Sequence, residues 1–543
     1  MKMTSFDPTY QKYPSRRYPL FAKNGMVNCS TPQAAAAGLE ILKKGGNAMD
    51  AIVAAAAALT VVEPTANGIG SDAFSLIWVQ KEQKLYGISS NGPSPRALSP
   101  QAMLADGKDD HGKVPKYGWT PVCVPGCVKA WTEITGCFGK LPLTVTLAPA
   151  IRYAEEGFPL GAAQSRVWRD TLHLYQNSFH GEEFGEWFRT FAPEGRPYEA
   201  GELVKLPNHA KTLREIAETN GESFYTGRIA RAIDADSRAH GGYLRYEDLA
   251  SYHARWVEPA RVNYRGYTVC EIPPSGQGTV ALMALNILNN FRFPEKDCAE
   301  TYHKQIEAMK LAFADGLHYI SDPEDMRIDY HDLLKPGYGK ERAAEIGARA
   351  EVRMHGEPNS GGTVYLCCAD AEGNMVSYIQ SNYKAFGSGI VVKDTGISLS
   401  NRGFDFSMDP EHVNYLRPGK YTYHTIIPGF LLKDGEAVGP FGVMGAYMQP
   451  QGHVQVLMNY IDFNMDPQQA LDAPRWQWIR EKEVLVESAF SSEIARQLKD
   501  RGHDISLELS PGGFGKGQMI IKLPNGVYCG GTESRYDGSI ALY

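Results

Sequence analysis

Long apolar runs are missing from this 543-residue chain. The longest, Ala51 to Val62, is alanine-rich and too short to cross a bilayer, so no membrane-spanning segment is expected. The first 25 residues mix Lys2, Asp7, Arg16 and Arg17 with several prolines and have no apolar stretch of the kind a secretory signal needs, which makes a cytoplasmic protein the expectation. A surplus of positive charge is missing too. With 55 basic and 62 acidic residues the formal charge is −7, and no arginine-rich run occurs, so neither nucleic acid nor an anionic membrane is an expected partner.

Several chemistries lack their motifs. There is no His-Glu-x-x-His, no phosphate-binding Walker loop and no G-x-S-x-G elbow. Nine cysteines form an odd, irregular set; Cys123 and Cys127 are a lone pair without a second pair at metal spacing. Reduced, mostly buried thiols are the simplest account, with the adjacent Cys367 and Cys368 on opposite faces of a strand. Pro274-Ser275-Gly276-Gln277-Gly278 follows a strand and precedes a helix, but it lacks the third glycine and the downstream acid of a dinucleotide site. Helix-start packing is its expected role, and no metal or cofactor is expected.

What is present is a layered mixture of helices and strand pairs. Thr31-Pro32 predicts a capped helix over Ala34–Lys44, ended by Gly45-Gly46. Asn47, with Asp50 three residues on, predicts a second helix whose small residues suit burial on all sides. The middle, Gly139–Leu249, is mostly helical, and Thr301–Tyr319 is another helix. Residues from Asp322 to Ser360 are polar and glycine-rich and read as a connector. Beyond it strands are predicted at Thr363–Cys368, Val376–Gln380, Gly389–Val392, Thr425–Leu432 and Gly442–Met444, among others. The fold class is α/β, with antiparallel strand pairs in layers.

One stretch organises the rest: Ser360-Gly361-Gly362-Thr363, leading into a strand, an Asp370–Asn374 turn and a second strand. Two glycines before a threonine serve a tight entry turn, or a peptide bond bent for attack by the threonine hydroxyl.

The landmarks around it decide between these. Gly38–Ala51 with its Gly45-Gly46-Asn47-Ala48, Glu63-Pro64, Gly68-Ile69-Gly70, Glu247-Asp248-Leu249-Ala250, Pro273-Pro274-Ser275, Gly373-Asn374, Asp405-Phe406-Ser407, Pro418-Gly419-Lys420 and Asp472-Ala473-Pro474-Arg475 occur in one order. With them the chain resembles the γ-glutamyltranspeptidases, N-terminal-nucleophile (Ntn) hydrolases made as single precursors. The resemblance implies an αββα sandwich forming one catalytic unit. It also implies autocleavage between Gly362 and Thr363, giving segments 1–362 and 363–543 that stay together as a heterodimer, either single or as a dimer of heterodimers. Thr363 is then the nucleophile, with its freed α-amino group as base. Ser381 falls where the family has a threonine bonded to the nucleophile, and the N–H groups of Gly445 and Ala446 fall at the oxyanion hole.

The substrate pocket departs from the family. Its early arginine and paired serines, which hold the glutamyl carboxylate, are replaced by Asn91 and by His424-Thr425. Of its ammonium ligands Asp405 remains, while the Gln place is Arg402 and the Asn place Tyr383, next to Asn382. Losing an arginine–carboxylate contact costs about 1.5–3 kcal/mol, and Arg402 repels an ammonium. A small amide with a carboxylate and no ammonium suits this pocket better. Asn401-Arg402-Gly403-Phe404, Tyr423–Gly429 and Met448–His453 resemble a subgroup that includes cephalosporin-acylase-like enzymes and the oxamate amidohydrolases of purine breakdown. Hydrolysis of oxamate to oxalate and ammonia is the preferred expectation. The alternatives are a γ-glutamyl or glutaryl acylase whose carboxylate grip is rebuilt from residues such as Arg96, and a non-catalytic descendant. An ion pair between Arg402 and Asp405 is the structural alternative to a substrate clamp, and a structural role the alternative for His424.

Overall fold

The computed structural model describes residues 17–353 and 362–543; Ser360 and Gly361 lie outside them. Two seven-stranded sheets form its centre, and every pairing within each is antiparallel. In spatial order the first consists of Ser539–Leu542, Gly25–Cys29, Gly362–Asp370, Met375–Tyr383, Asp72–Val79, Lys84–Ser90 and Arg255–Val257. The second runs Leu20–Ala22, Tyr528–Thr532, Lys516–Lys522, Glu436–Met444, Gly429–Lys433, Tyr267–Glu271 and Ala260–Tyr264. Strands from both sides of Thr363 therefore contribute to both sheets.

Period-two alternation sorts the side chains into layers. Phe74, Leu76, Trp78, Tyr365, Cys367 and Ile379 of the first sheet meet Phe430 and Ile520 of the second between the sheets. The intervening residues Val364, Leu366 and Cys368 face the helices Pro32–Lys43 and Ala48–Val62 on the outside. Cys367 and Cys368 thus do lie on opposite faces, and all nine cysteines are free. Helices Gly278–Leu288, Ala299–Tyr319 and Met448–Ile461 cover the outer face of the second sheet. The result is the expected αββα sandwich.

Local chemistry accounts for the elements. Thr31 caps the first helix by accepting from the Ala34 N–H. Asn47 and Asp50 form a reciprocal capping box, worth about 1 kcal/mol, and every residue of Ala48–Val62 is buried. Gly442 permits the sheets to approach: a Cβ there would fall 2.4 Å from the Tyr365 ring. Among the described residues no helix is long and apolar enough to cross a membrane.

Two expectations change. The Gly389–Val392 strand is only a bridge between Val391 and Ser398, because Gly387 and Gly389 take left-handed angles that break an extended run. The connector from Asp322 contains helices Tyr330–Leu333 and Pro336–Ala344, the second started by Pro336 at its first position. Its last residues, 354–360, lie outside the described part.

Candidate active site

Thr363 stands near the start of Gly362–Asp370, beside an irregularity in its neighbour. Gly362 pairs with Tyr383 while Val364 pairs with Gln380, so the neighbouring strand has one residue more over this span. The regular register that pairs Val364 with Gln380 and Tyr365 with Ile379 sets Thr363 across from Ser381, whose hydroxyl lies 3.0 Å from Thr363 Oγ1. Ser381 Oγ also accepts from the Tyr383 N–H at 2.8 Å, and Tyr383 adopts a φ of 73°, an uncommon angle for a bulky residue. On the next strand Asp72 lies directly opposite Ser381. Thr363, Ser381 and Asp72 form a buried polar row across three strands.

The second sheet closes the site from the other side. Gly445 and Ala446 follow its strand Glu436–Met444, with φ of 140° and 49°. Neither N–H donates to a described residue. Their geometry is held by Gln277, whose Nε2 donates to the carbonyls of Ala446 at 2.8 Å and Thr425 at 2.6 Å. Gln277 is a site residue that sequence reasoning missed. Its stretch does begin a helix as expected, and the side chain at the helix start also joins the two loops.

Arg402 is fully buried and polarised into two ends. Its Nη1 donates to Thr425 Oγ1 at 2.9 Å and to Asp405 Oδ2 at 3.2 Å. The guanidinium carbon sits 3.9 Å above the centre of the Tyr383 ring, whose hydroxyl donates to Asp405 Oδ1 at 2.6 Å. Nε and Nη2 make no hydrogen bond among the described residues. Those two groups form the side-on fork of a guanidinium, the edge that matches a carboxylate. Lys384 lies 4.2 Å from the same Tyr383 ring, and burial lowers its ammonium to about 8.

The anticipated pocket residues are brought together, though several are already engaged by protein partners. His424 Nε2 approaches Asp72 Oδ2 at 3.1 Å, and its Nδ1 accepts from the Ile426 N–H at 3.3 Å. Burial, with Arg402 and Arg255 nearby, holds this imidazole well below its ordinary pKa. Asn91 Oδ1 is taken by Ser89 Oγ and by Arg255 Nη2 at 3.3 Å. Arg96 turns to the surface and donates to Ser251, so it supplies no grip. Arg255, which stacks on Tyr421 and reaches Asn91, is the second arginine here. Asp72 and Arg255 both escaped sequence reasoning, since each lies in a strand pattern that gives its neighbours no special marker.

Elsewhere, the ligand atoms of His303, Glu307 and His503 all lie within 4.8 Å of one another. Glu307 is already paired with the buried Lys310 at 2.7 Å and approached by Arg353 at 3.7 Å. Those cations occupy the electrostatic place of a metal, and no metal is assigned.

The chain matches the family model described as Gamma-glutamyltranspeptidase over residues 34–543. A curated relative, a glutathione hydrolase-like proenzyme of Bacillus subtilis, is 35% identical over 93% of this chain and 96% of its own length. The oxamate amidohydrolase proenzyme of Klebsiella pneumoniae is 33% identical over 96% of this chain and 98% of its own. Among solved structures, the cephalosporin acylase from Bacillus halodurans superposes with a TM-score of 0.96 at 54% identity, covering 99% of both chains. The chain therefore belongs to the γ-glutamyltranspeptidase family and has the fold of an Ntn hydrolase, an enzyme acting on amide bonds.

Proposed function

We propose that this enzyme cuts its own chain before Thr363 and then hydrolyses a small amide bearing a carboxylate, with oxamate as the preferred substrate. Autocleavage begins with Thr363 Oγ1 adding to the Gly362 carbonyl. Breakage of the peptide C–N bond leaves an ester and a free amine, and water hydrolyses the ester. Segments 1–362 and 363–543 remain interleaved in both sheets as a heterodimer. The α-amine of Thr363 then removes the hydroxyl proton. Ser381 Oγ, 3.0 Å away, orients that hydroxyl. As the oxygen attacks the substrate carbonyl, the Gly445 and Ala446 N–H groups stabilise the oxyanion. Collapse expels ammonia, which carries off the proton, and water releases the acid from the threonyl ester.

The observation that carries the substrate class is the Nε–Nη2 edge of buried Arg402, which makes no hydrogen bond among the described residues. A buried donor left unsatisfied costs about 1–3 kcal/mol, and a substrate carboxylate removes that cost. Asp405, the family's ammonium ligand, already serves Arg402 and Tyr383. With Lys384 also beside Tyr383, a second positive group on the substrate is repelled. The likeness to a cephalosporin acylase favours a second reading, in which the same edge holds the distal carboxylate of a longer acyl group. Ammonia release from oxamate, measured beside release from glutaryl and γ-glutamyl anilides, separates them. Turnover of an anilide with none of oxamate overturns the first reading.

A further inference from the structure

Two carboxylates flank the Arg402 guanidinium. Asp405 holds its Nη1 end, and Asp72 Oδ2 stands 3.9 Å from its Nε end, beside the Nε–Nη2 fork. Asp72 is almost wholly buried. Its Oδ1 accepts from the Gly92 N–H at 3.3 Å and its Oδ2 faces His424 Nε2 at 3.1 Å. Since His424 Nδ1 accepts from the Ile426 N–H, the neutral ring carries its proton on Nε2 and donates it to Asp72. His424 therefore orients Asp72 without neutralising it. A substrate carboxylate on the Nε–Nη2 edge would place a third anion around this guanidinium, next to Asp72; of the other cations, Lys384 acts on Asp405 and Arg255 on His424, while Arg402 is the cation that acts on Asp72. Like charges so close in a buried site do not all stay ionised.

We infer that Asp72 takes up a proton from solvent when a carboxylate binds Arg402, making Asp72 the residue that couples anion recognition in this site to pH. This rests on the reading of Arg402 as the carboxylate clamp. The balance is simple: one proton leaves solvent, Asp72 becomes a neutral acid, and the pair Arg402–carboxylate replaces the pair Arg402–Asp72. Burial also raises the Asp405 carboxyl, but hydrogen bonds from Arg402 Nη1 and the Tyr383 hydroxyl, with Lys384 nearby, favour its ionised form, whereas Asp72 has no hydrogen bond from Arg402. Cys123, Cys127, Tyr225 and Tyr252 also feel Asp72, and burial keeps all four protonated. The carboxyl is poised for the change, because burial raises it to about 7 against the opposing pull of Arg402 and the Gly92 N–H. The α-amine freed at Thr363 titrates in the same range, so the test must separate the two.

Oxalate is the probe: it is not hydrolysed and is fully ionised at the pH used. Titration calorimetry of processed enzyme at pH 8, in phosphate and in Tris, counts protons from the dependence on buffer ionisation enthalpy. The expected result is about one proton taken up per oxalate bound, with affinity falling about tenfold per pH unit above the free carboxyl's midpoint. Asp72→Asn should keep binding, lose the uptake and flatten the pH dependence, whereas Asp72→Glu should retain uptake. Arg402-dependent binding without proton uptake by the wild type overturns the inference and leaves the clamp standing, even if no variant folds. Uptake that persists in Asp72→Asn overturns it as well. Oxalate binding that is absent, or indifferent to Arg402→Gln, overturns the clamp and this inference together.

Discussion

Thr363 Oγ1 lies 3.0 Å from Ser381 Oγ because the antiparallel register that pairs Val364 with Gln380 continues to set residues 363 and 381 across from each other. The ladder breaks just beyond them: Gly362 pairs with Tyr383, one residue further along than the register of Val364 and Gln380 would set. At this irregularity Tyr383 takes a left-handed backbone angle, φ 73°. That tyrosine in turn supports Arg402 and Asp405, so the irregularity lies between the Thr363–Ser381 pair and the Arg402–Asp405 pair.

Thr363→Ala should leave the chain uncut at its full 59.9 kDa and abolish amide hydrolysis. Ser381→Ala, which removes the hydrogen bond to the Thr363 hydroxyl, worth about 0.5–1.5 kcal/mol, along with the one from the Tyr383 N–H, should slow processing and turnover roughly two- to tenfold without stopping either. Gel electrophoresis and intact-mass measurement over time check both. A Thr363→Ala chain that still yields a fragment starting at residue 363 refutes the assignment.

Arg402→Gln should raise KM for oxamate about 10- to 150-fold, the equivalent of losing about 1.5–3 kcal/mol of charged hydrogen bonding. The uncharged glycolamide should lose far less, because it never used the fork. Steady-state kinetics on the two amides give the comparison, and equal losses would mean that Arg402 serves only the packing of Asp405.

Gly445→Ala should lower kcat about 100-fold or more while changing KM little, as removal of an oxyanion donor does. Gly445 has a φ of 140°, and an added Cβ would lie 3.2 Å from the Gly515 Cα. The backbone must shift to relieve this, and its N–H shifts with it. Ala446→Gly, at a φ of 49°, should be tolerated, since glycine adopts that angle without strain.

The parts legible in the sequence were those written in local chemistry. The caps at Thr31 and Asn47, the all-buried alanine helix and the hairpin around Asp370–Asn374 follow from rules that act within a few residues. The pocket is different in kind. Asp72, Gln277, Arg255 and Arg402 come from four distant stretches and meet only because two sheets stack. Asp72 sits 330 positions from Arg402 in the chain and 3.9 Å from it in space. Its acid, at the head of a strand, looks in sequence like a solvated end residue. The Arg402–Asp405 pair shows the opposite limit: spacing alone suggested an ion pair, and it forms, yet only the fold reveals that the pair uses one end of the guanidinium and leaves the other.

Behind Gly445 a buried charge cluster predicts how the fold responds to acid. Glu533 accepts from Arg475 at 3.0 Å, Arg535 at 2.8 Å and the Gly517 N–H at 2.8 Å. Arg475 also binds the carbonyls of Phe514 and Gly515, the segment against which Gly445 packs. Burial alone would raise the Glu533 carboxyl, but Arg475, Arg535 and the Gly517 N–H outweigh it and hold the group at about 2, below its ordinary 4.5. A carboxyl depressed in the folded state stabilises fully above the ordinary value, and this contribution disappears as pH falls toward 2. The difference corresponds to a few kcal/mol, on the order of 3 at most for so coupled a group. Urea unfolding of the uncut Thr363→Ala chain, with and without Glu533→Gln, should show a gap that is constant from pH 6 to 5 and narrows from pH 4.5 downward. A gap that stays constant to pH 3 would assign the acid sensitivity to other carboxylates. Because Arg475 loses its partner as Glu533 is protonated, the Gly513–Gly515 segment should loosen first, and activity should fail before global unfolding.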